Sequence, residues 1–327
     1  MEKIIDPVPV ALLKAELTEE RFLRDTNRAG NKIYIIDAQN APNVMKEIGR
    51  LREIAFRDGG GGTGKSMDLD KFDLDPAFCY KQLVLWDPDS ERIIGGYRFV
   101  LCDEVLYDRF GQPVMPSSHL FTFTKSYLNK EFLQTIELSR SFVSPDYQST
   151  RSDSKSLYAL DNLFDGLGAL IVLYKGRMKY FFGKMTIYPS FPEEGLRMLL
   201  YFLRKHFGPR TEKLVIPKNP ISTGDTSKFR KIFTQKDFKE DYKILKGELH
   251  TRYGVNIPPL VNTYMNMSPT MKSFGAGIND EFGNVIEAGI LIKFDEMHPE
   301  KAKRHMRMPE IHLKRILSLR RKQRKAI

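Results

Sequence analysis

The chain has 327 residues, with 52 Lys and Arg against 41 Asp and Glu, and a formal charge of +11. Its 41% hydrophobic, 11% aromatic and 28% charged residues point to a globular fold with a sizeable core, and away from disordered, collagen-like or membrane-spanning classes. The charge is unevenly placed: residues 300–327 hold eleven Lys and Arg against two acids, a net +9, which leaves about +2 for the other 299 residues.

Along the chain, the first twenty residues show neither the apolar core nor the cleavage site of a signal peptide. Residues 1–40 read as an N-terminal arm that carries one short strand, Ile33–Asp37. A helix is expected from Pro42 to Phe56, with Val44, Ile48, Leu51, Ile54 and Ala55 at helical spacing. A Gly-rich, acidic loop follows over residues 58–76. Gln82–Trp86 and Arg92–Cys102 read as a hairpin across Asp87-Pro88-Asp89. Gln134–Val143 reads as a strand. Ser152, Asp153 and Ser154 offer an N-cap to a long helix, Lys155–Lys175. Lys179–Tyr188 is expected as a strand and Glu193–Phe207 as an amphipathic helix. Residues 208–258 read as an irregular polar insertion, followed by a helix near Pro259–Asn266 and a strand near Val285–Phe294. The expected class is α/β, a mixed central sheet flanked by helices, with one domain over 41–306 and a basic tail over 307–327.

Gly59–Ser66 satisfies the phosphate-loop spacing G-x-x-x-x-G-K-S. A working phosphate loop joins a buried strand to a helix, so that backbone N–H groups converge on the anion. Here the segment before it has helical period, and the one after, Met67–Asp75, holds four Asp. The expectation is a plain loop. Cys79 and Cys102 lack metal-ligand spacing and read as small buried residues in a reducing compartment. The six histidines, too, show no ligand spacing, so no metal is expected.

Charges inside apolar segments carry the chemistry. Arg52 and Phe56 lie one helical turn apart, Asp70 and Asp73 follow in the loop, Arg98 sits in Ile93–Leu101, and Glu137 and Arg140 interrupt Gln134–Val143. Buried charges must pair, since breaking such a pair costs about 3–5 kcal/mol. Taken one at a time, each charge reads equally as the solvent face of its strand.

The ordered set Arg52-x-x-x-Phe56, Asp70-x-x-Asp73, Gly96-Tyr-Arg98 and Glu137-x-x-Arg140 resembles the signature of the acyl-homoserine-lactone autoinducer synthases. It is more similar to their relatives, the amino-acid N-acyltransferases of ornithine- and glycine-lipid biosynthesis, members of which are often labelled hemolysins. Ile257-Pro-Pro-Leu-Val-Asn-Thr-Tyr-Met and Phe274-Gly-Ala-Gly-Ile-Asn-Asp-Glu-Phe extend that likeness into a segment the shorter autoinducer synthases lack. The resemblance implies a GNAT-like acyltransferase fold. It also implies transfer of a (3-hydroxy)fatty acyl group from acyl carrier protein to a small amino acid, glycine first and ornithine second.

Coenzyme-A-dependent members of that fold carry a Gly-rich pyrophosphate turn after the central strand. Here Ser144–Lys155 has no glycine. Arg151, Lys155 and a helix N-terminus suit the single phosphodiester of a phosphopantetheine arm, which favours acyl carrier protein over coenzyme A, with no permanently bound cofactor. For the chemistry, Glu137 is a candidate base, directly or through water, or else a structural partner of Arg98 or Arg140. A backbone N–H near Ser141, Phe142 or Val143, at a strand bulge, is the candidate oxyanion donor. Arg98 or Arg140 is the candidate carboxylate clamp, unless Asp70 and Asp73 occupy both. Phe142, Phe181, Phe182 and the helix at Leu163–Leu173 are candidates for an acyl tunnel, or plain core.

In the tail, Ile311, Leu313, Ile316, Leu317 and Leu319 form an apolar stripe beside Lys314, Arg315, Arg320, Arg321 and Lys322. Such a helix suits an anionic membrane surface or an acidic carrier protein, and the expected location is cytoplasmic, at the inner face of the cytoplasmic membrane. Two alternatives stand beside the lead: an autoinducer-type signal synthase, against which the long C-terminal half argues, and a non-catalytic basic protein that binds membrane or nucleic acid. Nucleic acid is not expected, because the charge does not spread over a folded face.

Overall fold

The computed structural model describes residues 1–78, 80–148, 154–209 and 213–325. Residues 1–40 join the sheet: after helix α1 (Val10–Glu16), strands β1 (Phe22–Asp25) and β2 (Lys32–Ile36) form its edge. Helix α2 (Pro42–Asp58) starts with Pro in its first turn and buries Val44, Ile48, Leu51 and Ala55, as the period requires. The short helix α3 (Lys71–Leu74) precedes the hairpin β3 (Lys81–Asp87) and β4 (Arg92–Leu101). Strand β5 (Phe121–Phe123), helix α4 (Lys125–Asn129) and strand β6 (Thr135–Val143) follow.

The long helix α5 (Ser154–Leu173) leads to β7 (Tyr180–Ile187) and α6 (Glu193–Phe207). Residues 208–258, expected as irregular, contain strand β8 (Val215–Pro217) and helices α7 (Ser227–Ile232) and α8 (Phe238–Tyr253). Asp237 caps the start of α8 through the Lys239 and Glu240 N–H groups, and Gly254, at φ +65°, ends it. Only Asp241, Leu245 and Leu249 of α8 are buried, so its apolar period is faint in the sequence. Helix α9 (Pro259–Met265), strands β9 (Lys272–Asn279) and β10 (Val285–Lys293), and helices α10 (Pro299–Met306) and α11 (Glu310–Lys325) complete the chain.

The eight-stranded sheet runs β1-β2-β3-β4-β6-β7-β10-β9, and β5 pairs with β8 in a second, two-stranded sheet. Every neighbouring pair in the large sheet is antiparallel except β6 and β7, which are parallel. That pair is joined only at Thr135–Glu137 against Tyr180–Phe182. Beyond it β6 stays with β4 and β7 stays with β10, so the two strands part into a V.

One face of the sheet packs against α5, α6, α9 and α10, through Leu83, Leu85, Phe99, Leu138, Met185 and Ile290. Helix α5 is apolar and long enough to cross a membrane, but 72% of its apolar stretch is buried, and here it is a core helix. It lies close because Gly166 meets Leu83 and Gly168 meets the His305 carbonyl. A Cβ at either glycine would stand 2.4 or 2.3 Å from those atoms. The other face holds two apolar clusters, one under α2 and one under the β5–β8 sheet. Between them lies a band of buried charge.

Candidate active site

The band is built from α2, the following loop and three strands. Arg52 Nη1 donates to Asp73 Oδ1 at 2.9 Å and Nη2 to Gln82 Oε1 at 2.5 Å. Gln82 Nε2 returns to the same Asp73 oxygen at 2.9 Å. Arg98 Nη1 reaches Asp70 Oδ1 at 2.7 Å and Asp73 Oδ2 at 2.9 Å, and Nε donates to Ser139 Oγ at 3.1 Å. Asp70 also caps α3, accepting from the Phe72 and Asp73 N–H groups, so the loop acids are locked by local turn geometry before they meet any arginine.

Burial opposes ionisation of Asp73, yet Arg52 and Arg98 outweigh it and hold the carboxyl far below its ordinary range. Burial likewise pulls Arg98 down, and Asp73 and Asp70 more than reverse it. The charge pairing expected from the sequence is therefore present for Arg52, Asp70, Asp73 and Arg98. Among the described residues, Arg98 Nη2 is buried without a hydrogen-bond partner.

Arg140 sits at a bulge. Arg98 faces Ser139 and Gly96 faces Phe142, so two steps on β4 span three on β6. Arg140 takes φ +50° there, a left-handed conformation that costs a non-Gly residue roughly 1–2 kcal/mol. Its guanidinium lies 4.4 Å from the Phe282 ring centroid and pairs with Asp68 at 2.9 Å. Burial pushes the Asp68 carboxyl up, with Arg140 the main opposing charge. The extra residue shifts the strand's alternation, so Phe142 faces the α2 side while Ser141 bonds Tyr97 on the other face.

A cavity of about 410 Å³ opens where β6 and β7 part. One end is charged, walled by Arg98, Ser139, Arg140, Lys184, Thr186 and Glu287. The other is largely apolar, with Leu157 and Leu160 of α5 and Pro258, Pro259 and Leu260 at α9. Phe56, Tyr97, Ser141, Phe142, Val143 and Tyr264 line the cavity as well. The Tyr97 and Tyr264 hydroxyls are 3.2 Å apart, and burial raises both phenols above their ordinary range.

The structure separates other predicted residues from this cavity. Glu137 lies outside its wall, buried on the far side of Arg98, where Oε2 accepts from the Tyr80 hydroxyl at 2.8 Å. Phe181, Phe182 and Leu163–Leu173 pack in the core, and α5 lends the wall Ser156, Leu157, Ala159 and Leu160 instead. Arg151, Ser152 and Asp153 of the proposed cap, and Cys79 fall outside the described residues, as do the side chains of Ser154, Lys155, Arg320 and Lys322. Tyr97, Lys184, Tyr264 and Glu287 were missed. Lys184 and Glu287 alternate along β7 and β10 as solvent-facing residues would, and their burial and pairing at 2.7 Å distinguish them.

Gly59–Ser66 is a loop between α2 and α3. Its N–H groups already have an anion: Thr63 N and Gly64 N donate to Glu53 at 3.0 and 2.8 Å, and Thr63 Oγ1 donates at 2.8 Å. Burial would raise Glu53, but these bonds and Arg57 hold it low and ionised.

A family described as "Acetyltransferase (GNAT) domain" matches residues 51–157, which run from α2 through the bulge into α5. The chain is similar to a protein named glycine N(alpha)-acyltransferase from Bacteroides thetaiotaomicron, 56% identical over 94% of this chain and 90% of that one. It is also similar to a protein of the same name from Phocaeicola vulgatus, 54% identical over 94% of this chain and 93% of that one. Among solved structures, TofI in an apo form aligns with a TM-score of 0.31 and 18% identity, over 58% of this chain and 83% of that one.

Proposed function

Because the chain belongs to the amino-acid N-acyltransferases of GNAT fold, we propose that it acylates glycine, ahead of ornithine, with a (3-hydroxy)fatty acyl group carried as a thioester on acyl carrier protein. The observation that carries this reading is the cavity threading the split between β6 and β7, charged at one end and largely apolar at the other. A thioester with its acyl chain suits the α5–α9 side, and a small zwitterion suits the charged side. Glycine stands first in this reading, supported by two bacterial relatives named glycine N(alpha)-acyltransferase.

In the reaction the amine lone pair attacks the thioester carbon, an N–C bond forms and the C–S bond breaks. The acceptor sheds one proton to solvent before attack. A second passes from nitrogen to the departing thiolate by way of the Tyr97 hydroxyl, which burial keeps protonated. The bulge at Arg140 interrupts the strand ladder, and a backbone N–H there is the donor for the oxyanion. The Arg98 charge is already paired with Asp70 and Asp73, and its unpartnered Nη2 is the N–H donor left for the acceptor carboxylate. Glu137 acts as a positioning residue: it holds Tyr80, whose ring lies 5.3 Å from the Arg98 guanidinium. Acyl-coenzyme A is the second-choice donor, and the product would enter an anionic membrane at the inner face of the cytoplasmic membrane as an aminolipid.

Purified protein mixed with 3-hydroxyacyl carrier protein and glycine should release N-acylglycine, detected by mass spectrometry. The carrier-protein thioester should exceed the coenzyme A thioester in kcat/KM by about tenfold or more, as differential transition-state binding requires. No N-acylglycine from either donor would remove the proposal.

A further inference from the structure

We propose that Glu287 is the amino-group subsite, so that the cavity grips a small α-amino acid at both ends, carboxylate on Arg98 and ammonium on Glu287. This rests on the reading above and adds a residue to it. Three observations carry it.

The first is position. Glu287 and Lys184 project from β10 and β7 on the face that holds Arg98 and Arg140, across the V from them, and all four line one cavity. The two cationic side chains of β4 and β6 thus look over the gap at a carboxylate. An amino acid with its two charges about one carbon apart has an anion site on one wall and a cation site on the other.

The second is support. Glu287 is buried, yet it is held by three groups from two strands. Lys184 Nζ is 2.7 Å from Oε2, Asn279 Nδ2 donates to Oε2 at 2.9 Å, and Thr186 Oγ1 donates to Oε1 at 3.3 Å. Oε2 is thereby occupied, while Oε1 has one long bond and accepting capacity to spare. Burial opposes its charge, but Lys184 and Asn279, with Arg140 as a further cation, keep the carboxyl below its ordinary range. It therefore meets an ammonium as a carboxylate.

The third is cost. A buried, ionised carboxylate on a strand that otherwise packs apolar residues is expensive to keep without a task. Lys184 balances its charge, but no packing need is met by placing the pair in the wall of a cavity. Bound there, the ammonium passes its first proton through Glu287 Oε1 to solvent. The lone pair then points across the gap at the thioester carbon on the bulge side.

The test is steady-state kinetics on the full chain with 3-hydroxyacyl carrier protein as donor. Glu287→Gln should raise the KM for glycine about tenfold or more and leave the KM for the acyl donor within about twofold. Glycolate, which has the carboxylate but a hydroxyl in place of the ammonium, should inhibit wild type and Glu287→Gln alike. Glu287→Asp keeps the charge beside Lys184, and should also raise the glycine KM if the Gln variant does not fold. A glycine KM within about twofold of wild type in a folded variant would overturn the assignment and leave the acyltransferase reading standing. Equal weakening of glycine and glycolate would overturn it too, since that marks a distorted cavity. If wild type itself forms no N-acylglycine, the function falls, and the subsite with it.

Discussion

Asp73 is shared by two guanidinium groups and is buried with both, so it is the residue on which the charged band depends. Asp73→Asn leaves Arg52 and Arg98 without their common anion, and should cost about 3–5 kcal/mol of unfolding free energy in a urea titration. The pH dependence follows from the depressed carboxyl. Its contribution is complete above the ordinary aspartate value of about 3.9 and is lost as pH falls from there toward the folded-state value. Wild type should therefore lose stability more steeply than Asp73→Asn on acidification below about pH 4. Equal slopes would show that the pair contributes nothing. At this scale the sequence was informative, because charges among Ile, Leu and Phe must be paired. The direction of Glu137 was not legible: alternation along β6 says that it opposes Leu138, but not which face meets the cavity.

At the scale of elements, one residue inserted in β6 decides where the site lies. The bulge shifts the alternation, places Phe142 under α2 and Ser141 against Tyr97, and sets Arg140 at φ +50°. Arg140→Gly suits that backbone while deleting the cation. It also leaves the buried Asp68 without its ion-pair partner, so it should cost roughly 3–5 kcal/mol by denaturant unfolding, less about 1–2 kcal/mol for the relieved backbone, and lower kcat/KM by about tenfold or more. Unchanged stability would show that the pair with Asp68 contributes nothing. Helix α5 offers a second test. Gly168→Ala puts a methyl 2.3 Å from the His305 carbonyl, where α10 crosses, and should cost about 1–3 kcal/mol by denaturant unfolding. Strand β9 is not expected from the sequence, where Gly275 and Gly277 weaken its β pattern. Gly275, at φ +90°, lies where the pairing with β10 shifts.

On the scale of the whole molecule, the +9 segment is not detachable as its charge suggests. Helix α11 packs on β1 and α5 with Ile316 fully buried, and Arg315 Nε donates to the Phe22 carbonyl at 2.7 Å. Arg315 is therefore a docking residue, whereas Lys314 and Arg321 are exposed. Removing residues 320–327 should weaken salt-sensitive binding to anionic vesicles in a sedimentation assay and leave Tm unchanged. Cutting at 308 should lower Tm, because it uncovers Ile316. Unchanged vesicle affinity after the shorter cut would separate the tail from membranes.

By itself the sequence determined the element types with strong period, the α/β class, the GNAT resemblance and the charged residues that must find partners. Those follow from local physics: helical and strand spacing, and the cost of an unpaired buried charge. Only the tertiary structure decided that β6 and β7 part beyond three paired residues, that Glu137 bonds Tyr80 outside the cavity wall, and that Lys184 and Glu287 complete that wall. Each depends on which strands are neighbours. Residues 98, 140, 184 and 287 converge through a sheet order that no local pattern encodes.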